Sequence, residues 1–253
     1  MRVGLEDRGR RRRTLVALLA ISAIAVAAVL ATTASARPAA GTYVLGVSNT
    51  LAGNGWREEM ICSIKAQALA SGVVKDVKIA NRNGGPAEQN ADLRNLISAG
   101  ANAIILNPSS ATALNPTIAQ AAGRGIKVVS IDQRVTAPQA YNATNDQTAY
   151  GRLGAEWLFK QLLTVKGFHG AAVTNPATIG GVGAAIAIKL LQGKSVSKTV
   201  LLKPQVWDNK TSFGRKQIKE NYSPSRPPTY SSRALIKPWT TYTRQQLFAC
   251  KGP

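Results

Sequence analysis

The sequence predicts an α/β fold built on a doubly wound, mainly parallel sheet, and three observations carry that prediction. Residues 103–132 read as one strand–helix–strand unit, the strands being the short β-branched runs Ala-Ile-Ile-Leu and Ile-Lys-Val-Val-Ser-Ile. Such near-continuous apolar runs suit strands covered on both faces, where alternation gives way to uniform hydrophobicity. The same strand-then-helix alternation recurs before and after this unit, which is the pattern of a sheet wound with helices on both sides.

Taken in order, residues 43–48 form the first strand, followed by a polar loop through Ser48, Asn49, Asn54 and Trp56. A helix over 56–71 carries Ile61, Ile64, Ala68 and Leu69 on one face and stops at Gly72. Residues 77–80 give a strand ending at Asn81, and 87–99 a helix with Leu93, Leu96 and Ile97, closed by Gly100. In the central unit the first strand ends at Asn107. Asn115 and Pro116 start the helix as cap and first helical residue, Gly123 and Gly125 stop it, and the second strand ends at Asp132. A strand over 140–143 leads to Asn145, and a helix runs over 147–162. Residues 170–174 are a further strand ending at Asn175, 179–191 a small-residue helix, and 199–202 the last convincing strand. From 203 onward the chain reads as irregular until Thr243 and Gln246, the ends of a capping box for a final short helix.

Composition fits a globular protein, with 45% hydrophobic and 17% charged residues. Residues 1–36 read as a signal peptide: a basic run at 8–13, an uncharged apolar stretch at 14–30 and the small residues Ala34, Ser35 and Ala36 at a cleavage site. The alternative is an uncleaved anchor. In an exported chain Cys62 and Cys250 are candidates for a disulfide, the alternative being two buried thiols. Residues 37–160 carry 12 basic and 8 acidic side chains, residues 161–253 carry 14 and 2. The basic half lacks a nucleic-acid motif and interleaved aromatics, so it reads as a solvated surface ahead of a polyanion-binding one.

No enzyme is indicated. His169 is the one histidine, and the sequence holds no HExxH, GxSxG or CxxC pattern that would supply a mechanism or a metal site. Gly180, Gly181 and Gly183 lack a Walker lysine and read as close packing positions. What remains is a series of polar strand ends: Ser48, Asn49, Asn81, Asn107, Asp132, Asn145 and Asn175. Right-handed crossovers place such ends on one edge of the sheet. Amides and a carboxylate there suit a ligand made of hydroxyl groups, although each residue alone also serves as a turn former or cap. Trp56 is either a platform for a sugar face or a core residue.

These motifs resemble a known family. The Asn54-Gly55-Trp56 loop, Leu106 to Ser109, Val128 to Arg134, and Ala143 to Asp146 followed by Gly151 and Gly154 are similar to the sugar-binding proteins of bacterial ABC importers, of the type I periplasmic, ribose-binding-like class. The segments 171–183, 207–209 and 249–253 are similar to the ending of one subgroup. The resemblance implies two lobes closing on a monosaccharide or related polyol, an ABC-transporter permease as partner, a periplasmic or cell-surface location, no cofactor and no metal. It also implies a monomer without a nucleic-acid partner, touching a membrane only through its export segment or the permease. Ligand-binding positions carry over to Asn54, Trp56, Asn107 and Asp132, with Ser48 or Asn49, and to Asn145 and Asn175 at the first two chain crossings.

Between those crossings the family places most of its second lobe, on the scale of an ordinary domain of ~100 residues. Here the interval from Asn145 to Asn175 holds 31 residues. The expected organisation is a signal peptide (1–36), a first lobe (37–144), a truncated second-lobe remnant (145–175), a return to the first lobe (176–202) and a C-terminal extension (203–253). Ligand affinity is expected to be weak or absent, and the alternative function is a basic, polyanion-binding surface protein.

Overall fold

The computed structural model describes residues 41–164, 170–221 and 234–253. The expected signal peptide and His169 lie outside the described residues. In chain order the elements are β1 (Tyr43–Asn49), α1 (Gly55–Ser71), β2 (Val74–Asn81), α2 (Pro86–Ser98), β3 (Ala103–Asn107), α3 (Asn115–Gly123), β4 (Lys127–Ile131) and β5 (Tyr141–Asn145). They continue with α4 (Gln147–Thr164), β6 (Ala171–Val173), α5 (Ile179–Leu191), β7 (Thr199–Leu202), β8 (Val206–Asp208), α6 (Ser212–Asn221) and α7 (Arg244–Ala249).

Six strands make one parallel sheet in the order β2-β1-β3-β4-β5-β7, the doubly wound arrangement expected from sequence. The winding reverses between β1 and β3, so the chain moves outward on one side of that pair and then on the other. Strand β3 shows why its sequence is uniformly apolar. Ile105 packs with Met60 and Ile64 of α1 and Val182 and Ile186 of α5, whereas Ile104 and Leu106 face Leu93 and Leu96 of α2 and Ile118 of α3. Both faces of the sheet are therefore covered.

Local chemistry sets the helix ends, with two departures from expectation. Asn54 caps α1 by accepting from the backbone N–H of Trp56 and Arg57, and Gly72 ends it at φ 69°. The buried face of α1 uses Met60, Ile61, Ile64 and Ala68; Leu69, expected inside, is 40% exposed. Met60, Ile64 and Ala68 recur every four residues and set the stripe, which turns Leu69 outward. Asn115 is the first helical residue of α3 rather than its cap, a place taken by Leu114. The Ser110 hydroxyl accepts from the N–H of Ala113 at 3.1 Å and begins the turn earlier, leaving the Asn115 amide to donate to Thr136 at 2.7 Å.

The later chain holds structure that its sequence conceals. β6 joins β8, antiparallel, in a separate two-stranded sheet, and α6 follows where an irregular segment was expected. Asp208 starts the turn into α6 by accepting from the N–H of Lys210 and of Thr211, and these bonds hold its carboxyl below the usual carboxylate range. The expected capping box of α7 is present between Thr243 and Gln246. Cys62 and Cys250 form a disulfide with Cα atoms 4.6 Å apart, tying the end of α7 to α1. Beside it Gln67 exchanges hydrogen bonds with Thr241, and Tyr242 and Leu247 pack on Ala66.

Helix α5 lies so close to α1 and the sheet that glycine is required along it. A Cβ on Gly180 would stand 2.2 Å from the Met60 carbonyl oxygen, and one on Gly183 2.5 Å from Ile131. An exposed helical glycine gains about 1 kcal/mol on becoming alanine. At Gly180 the backbone clash outweighs that gain, so Gly180→Ala is expected to lower stability by about 3 kcal/mol in chemical denaturation. Gly151→Ala, whose Cβ meets nothing within 4 Å, is expected to leave stability unchanged or raise it.

Candidate functional site

The carboxyl ends of β1, β2, β3 and β5 are Asn49, Asn81, Asn107 and Asn145, and Asp132 follows the last residue of β4. Register places Asn49 opposite both Asn81 and Asn107, on the two sides of the point where the winding reverses. The polar strand ends predicted from sequence therefore share one edge, at the place where open α/β sheets hold ligands.

Asn49 organises this edge. Its amide donates to the Asn81 side chain at 2.7 Å and to the Leu51 carbonyl at 3.1 Å, while its oxygen accepts from Arg57 Nη1 at 2.8 Å. Glu58 Oε1 accepts from the Asn81 amide at 3.2 Å and from Gly53 N at 3.3 Å, fixing the loop before α1. Arg57 thus reaches back from the first turn of α1 toward the strand ends.

Asp132 sits at φ 65°, a left-handed conformation that aspartate tolerates better than most residues. Its N–H donates to the Ala143 carbonyl at 2.9 Å and its carbonyl accepts from the Thr144 hydroxyl at 2.7 Å, so the backbone on both sides is anchored. Burial raises the pKa of Asp132, opposed by the charge of Arg57 and a hydrogen bond from Asn107. Burial likewise lowers that of Arg57, with Asp132 acting against it. The two charges are half-buried and each favours the other's ionised form. Asn107 is fully buried, its amide donates to Met60 Sδ at 3.6 Å, and its Oδ1 is buried without a hydrogen-bond partner.

The half-buried Trp56 ring packs against the core cluster, the core role of the two expected, and its indole N–H donates to the Asn175 carbonyl at 2.8 Å. The Asn145 amide donates to the Asn175 side chain, which joins the two chain crossings. Ser48 lies fully buried and accepts from Gln89 Nε2 at 3.2 Å, and Asn54 is occupied as the cap of α1. The structure thus gathers Asn49, Trp56, Asn107, Asp132, Asn145 and Asn175 and adds Arg57. Among the described residues no cluster of His, Cys, Asp or Glu could hold a metal ion, and no helix is long and apolar enough to cross a membrane.

Residues 45–164 match the family model of the periplasmic binding protein domain. The match covers 120 of the 253 residues. Solved structures of the same fold include an ABC transporter solute binding protein from Thermobispora bispora DSM 43833, at TM-score 0.60 and 19% identity, covering 82% of this chain and 94% of that chain. Another is a 5-methylthioribose transporter solute binding protein from Thermotoga lettingae TMO in complex with 5-methylthioribose, at TM-score 0.56 and 14% identity over 71% of this chain and 89% of that one. Against a periplasmic ribose ABC transporter protein from Conexibacter woesei DSM 14684 the values are 0.44 and 21%, and 65% of this chain covers 56% of that chain. No curated protein matches the sequence.

Within the matched segment, Arg57, Glu58 and Gln89 are the site-forming residues that sequence reasoning missed. Gln89 donates to the Asn107 carbonyl at 3.0 Å and accepts from Ser109 N at 2.8 Å, so it holds β3's end from below. Arg57 did leave a signal, because a cation in the first turn of a helix opposes the helix dipole. Asp132 has its pKa raised, so its contribution to folding is complete below the ordinary carboxylate range and is lost as pH rises through the higher midpoint. Arg57→Ala removes the opposing charge and is expected to move that midpoint further up, read from the Asp132 carboxyl carbon by NMR; a midpoint that falls contradicts the coupling.

Proposed function

We propose that the protein is the exported solute-binding component of a carbohydrate ABC importer, with a monosaccharide or related polyol as ligand and the importer's permease as partner. The observation that carries this reading is the grouping of Asn107, Asp132, Arg57 and Asn49 at the winding reversal. The Asn107 Oδ1 is a buried acceptor without a partner, and a ligand hydroxyl would satisfy it. Ionised Asp132 accepts two further hydroxyls, the Arg57 guanidinium donates, and Trp56 supplies an apolar face at the side. Asn145 and Asn175 would close the ligand's far end at the crossings, and Ser48 would support the edge from within β1 and Asn54 from the loop before α1. Asp132 and Arg57 together are neutral, which favours an uncharged ligand. The protein is a binder, not an enzyme.

Residues 1–36, outside the described residues, would direct export to the periplasm or cell surface and be removed. The second lobe is abbreviated. Between Asn145 and Asn175 the described chain offers α4 and the start of the small β6–β8 sheet in place of a full set of strand–helix units. Binding sites bury about 70–90% of a small ligand, and a single lobe leaves the opposite side of a sugar in water. The affinity is accordingly weak. Calorimetry of the full chain with a panel of pentoses and hexoses is expected to give dissociation constants no tighter than about millimolar, near −4 kcal/mol, with Asp132→Ala removing the heat. A sub-micromolar constant for any sugar would contradict the abbreviated second lobe.

A further inference from the structure

A cavity lies at the chain crossings and adjoins the sheet-edge cluster through Asn145. Its volume is about 420 Å³, and it is walled by the ends of β5, β6 and β7 and by the segment that returns at Ala234. That volume falls within the ~300–1,000 Å³ of small-molecule sites. Trp239, Ile236, Leu202 and Pro204 give it an apolar wall. Lys189 of α5 stands with its Nζ 4.4 Å from the centre of the Trp239 ring, and the Trp239 backbone N–H donates to the Ile236 carbonyl at 2.9 Å.

Lys203 and Lys237, both exposed, are among the cavity's lining residues, and none of its described lining residues is acidic. Asn145 also lines it, is 3% exposed, and keeps its Oδ1 buried without a hydrogen-bond partner while its amide donates to Asn175. A buried acceptor of this kind is costly unless a donor reaches it. The chamber therefore offers two cations without a counter-charge, one orphan acceptor and a flat aromatic wall. A neutral sugar satisfies the acceptor and leaves the cations unused; a plain inorganic anion does the reverse and leaves the wall empty.

We propose that this cavity is a second ligand site, which takes a small organic acid bearing both an apolar ring and a hydroxyl group. The carboxylate pairs with Lys203 and Lys237, the hydroxyl donates to Asn145 Oδ1, and the ring lies along Trp239 and Ile236. Because the Asn145 amide holds Asn175, and Asn175 accepts from Trp56, an occupant sits two hydrogen bonds from the sheet-edge site.

Titration of the oxidised full chain with 4-hydroxybenzoate tests the proposal by calorimetry. One saturable site is expected, and Lys203→Ala combined with Lys237→Ala is expected to weaken it about tenfold or more. Benzoate, without the hydroxyl, should bind several-fold more weakly, and benzyl alcohol not at all. Asp132→Asn should leave the titration unchanged. If circular dichroism shows the double variant unfolded, Lys237→Gln alone makes the comparison. Absence of a saturable signal at millimolar probe overturns the site. So does an affinity unchanged in the lysine variants, or one equally reduced by Lys194→Ala with Lys251→Ala, which would mark a general attraction to a basic surface.

Discussion

The whole arrangement depends on parallel pairing with the winding reversed between β1 and β3. Parallel strands end on the same edge, and same-handed crossovers carry successive helices to opposite faces on the two sides of the reversal. At that point the connecting loops diverge and leave a gap that the backbone cannot fill. Asn49 and Asn107 are the residues that stand across it. Polar side chains collect there because the strand interiors have no room for them: Leu45, Val47, Ile104 and Ile105 are all buried between helix layers.

Holding that edge still requires the layers beneath it to be tight. Helix α5 meets α1 at Gly180, against the Met60 carbonyl, and the sheet at Gly183, against the side chains of Ile131 and Ile105, while Gly181 makes room for the Tyr242 ring. Ser63 reinforces the contact by donating to the Met60 carbonyl at 2.7 Å and accepting from Gly181 N at 2.8 Å. The disulfide then fastens the chain's end to the same helix α1 whose first turn supplies Trp56 and Arg57. One helix links the core, the terminal strap and the candidate site. Constraining two cysteines 188 residues apart removes substantial disorder from the unfolded chain, an effect of order 2–5 kcal/mol for native disulfides.

Where local chemistry decides the structure, it was readable in the sequence. The apolar runs of β3 and β4, the left-handed glycines at 72, 100, 125 and 193 and the capping box at Thr243 all stand where residue types alone place them. The edge positions of Asn107, Asp132 and Asn145 followed from counting strands. Structure created by distant partners was hidden. β8 is three residues long and exists through pairing with β6, and the turn into α6 is held by Asp208 accepting from the N–H of Lys210 and of Thr211. Arg57 escaped notice for the same reason, since its partners Asn49 and Asp132 lie 8 and 75 positions away. The structural roles of Ser48 and Asn54 show the converse, where a polar residue at a strand end or loop is absorbed by a buried partner or a helix cap.

On the proposed reading, the chemistry at the edge suits a ligand made of hydroxyl groups. Asn107 offers an unpaired acceptor, Asp132 a carboxylate moderated by Arg57, and Trp56 a flat face tied to Asn175. A half-site of the proposed kind would engage a sugar without enclosing it, so the place of contact is more telling than its strength. The direct measurement is backbone and side-chain NMR of the folded chain during titration with a pentose. The account predicts shifts that cluster at Asn49, Trp56, Arg57, Asn107 and Asp132. Shifts scattered over the surface, or confined to the opposite edge of the sheet, would contradict it.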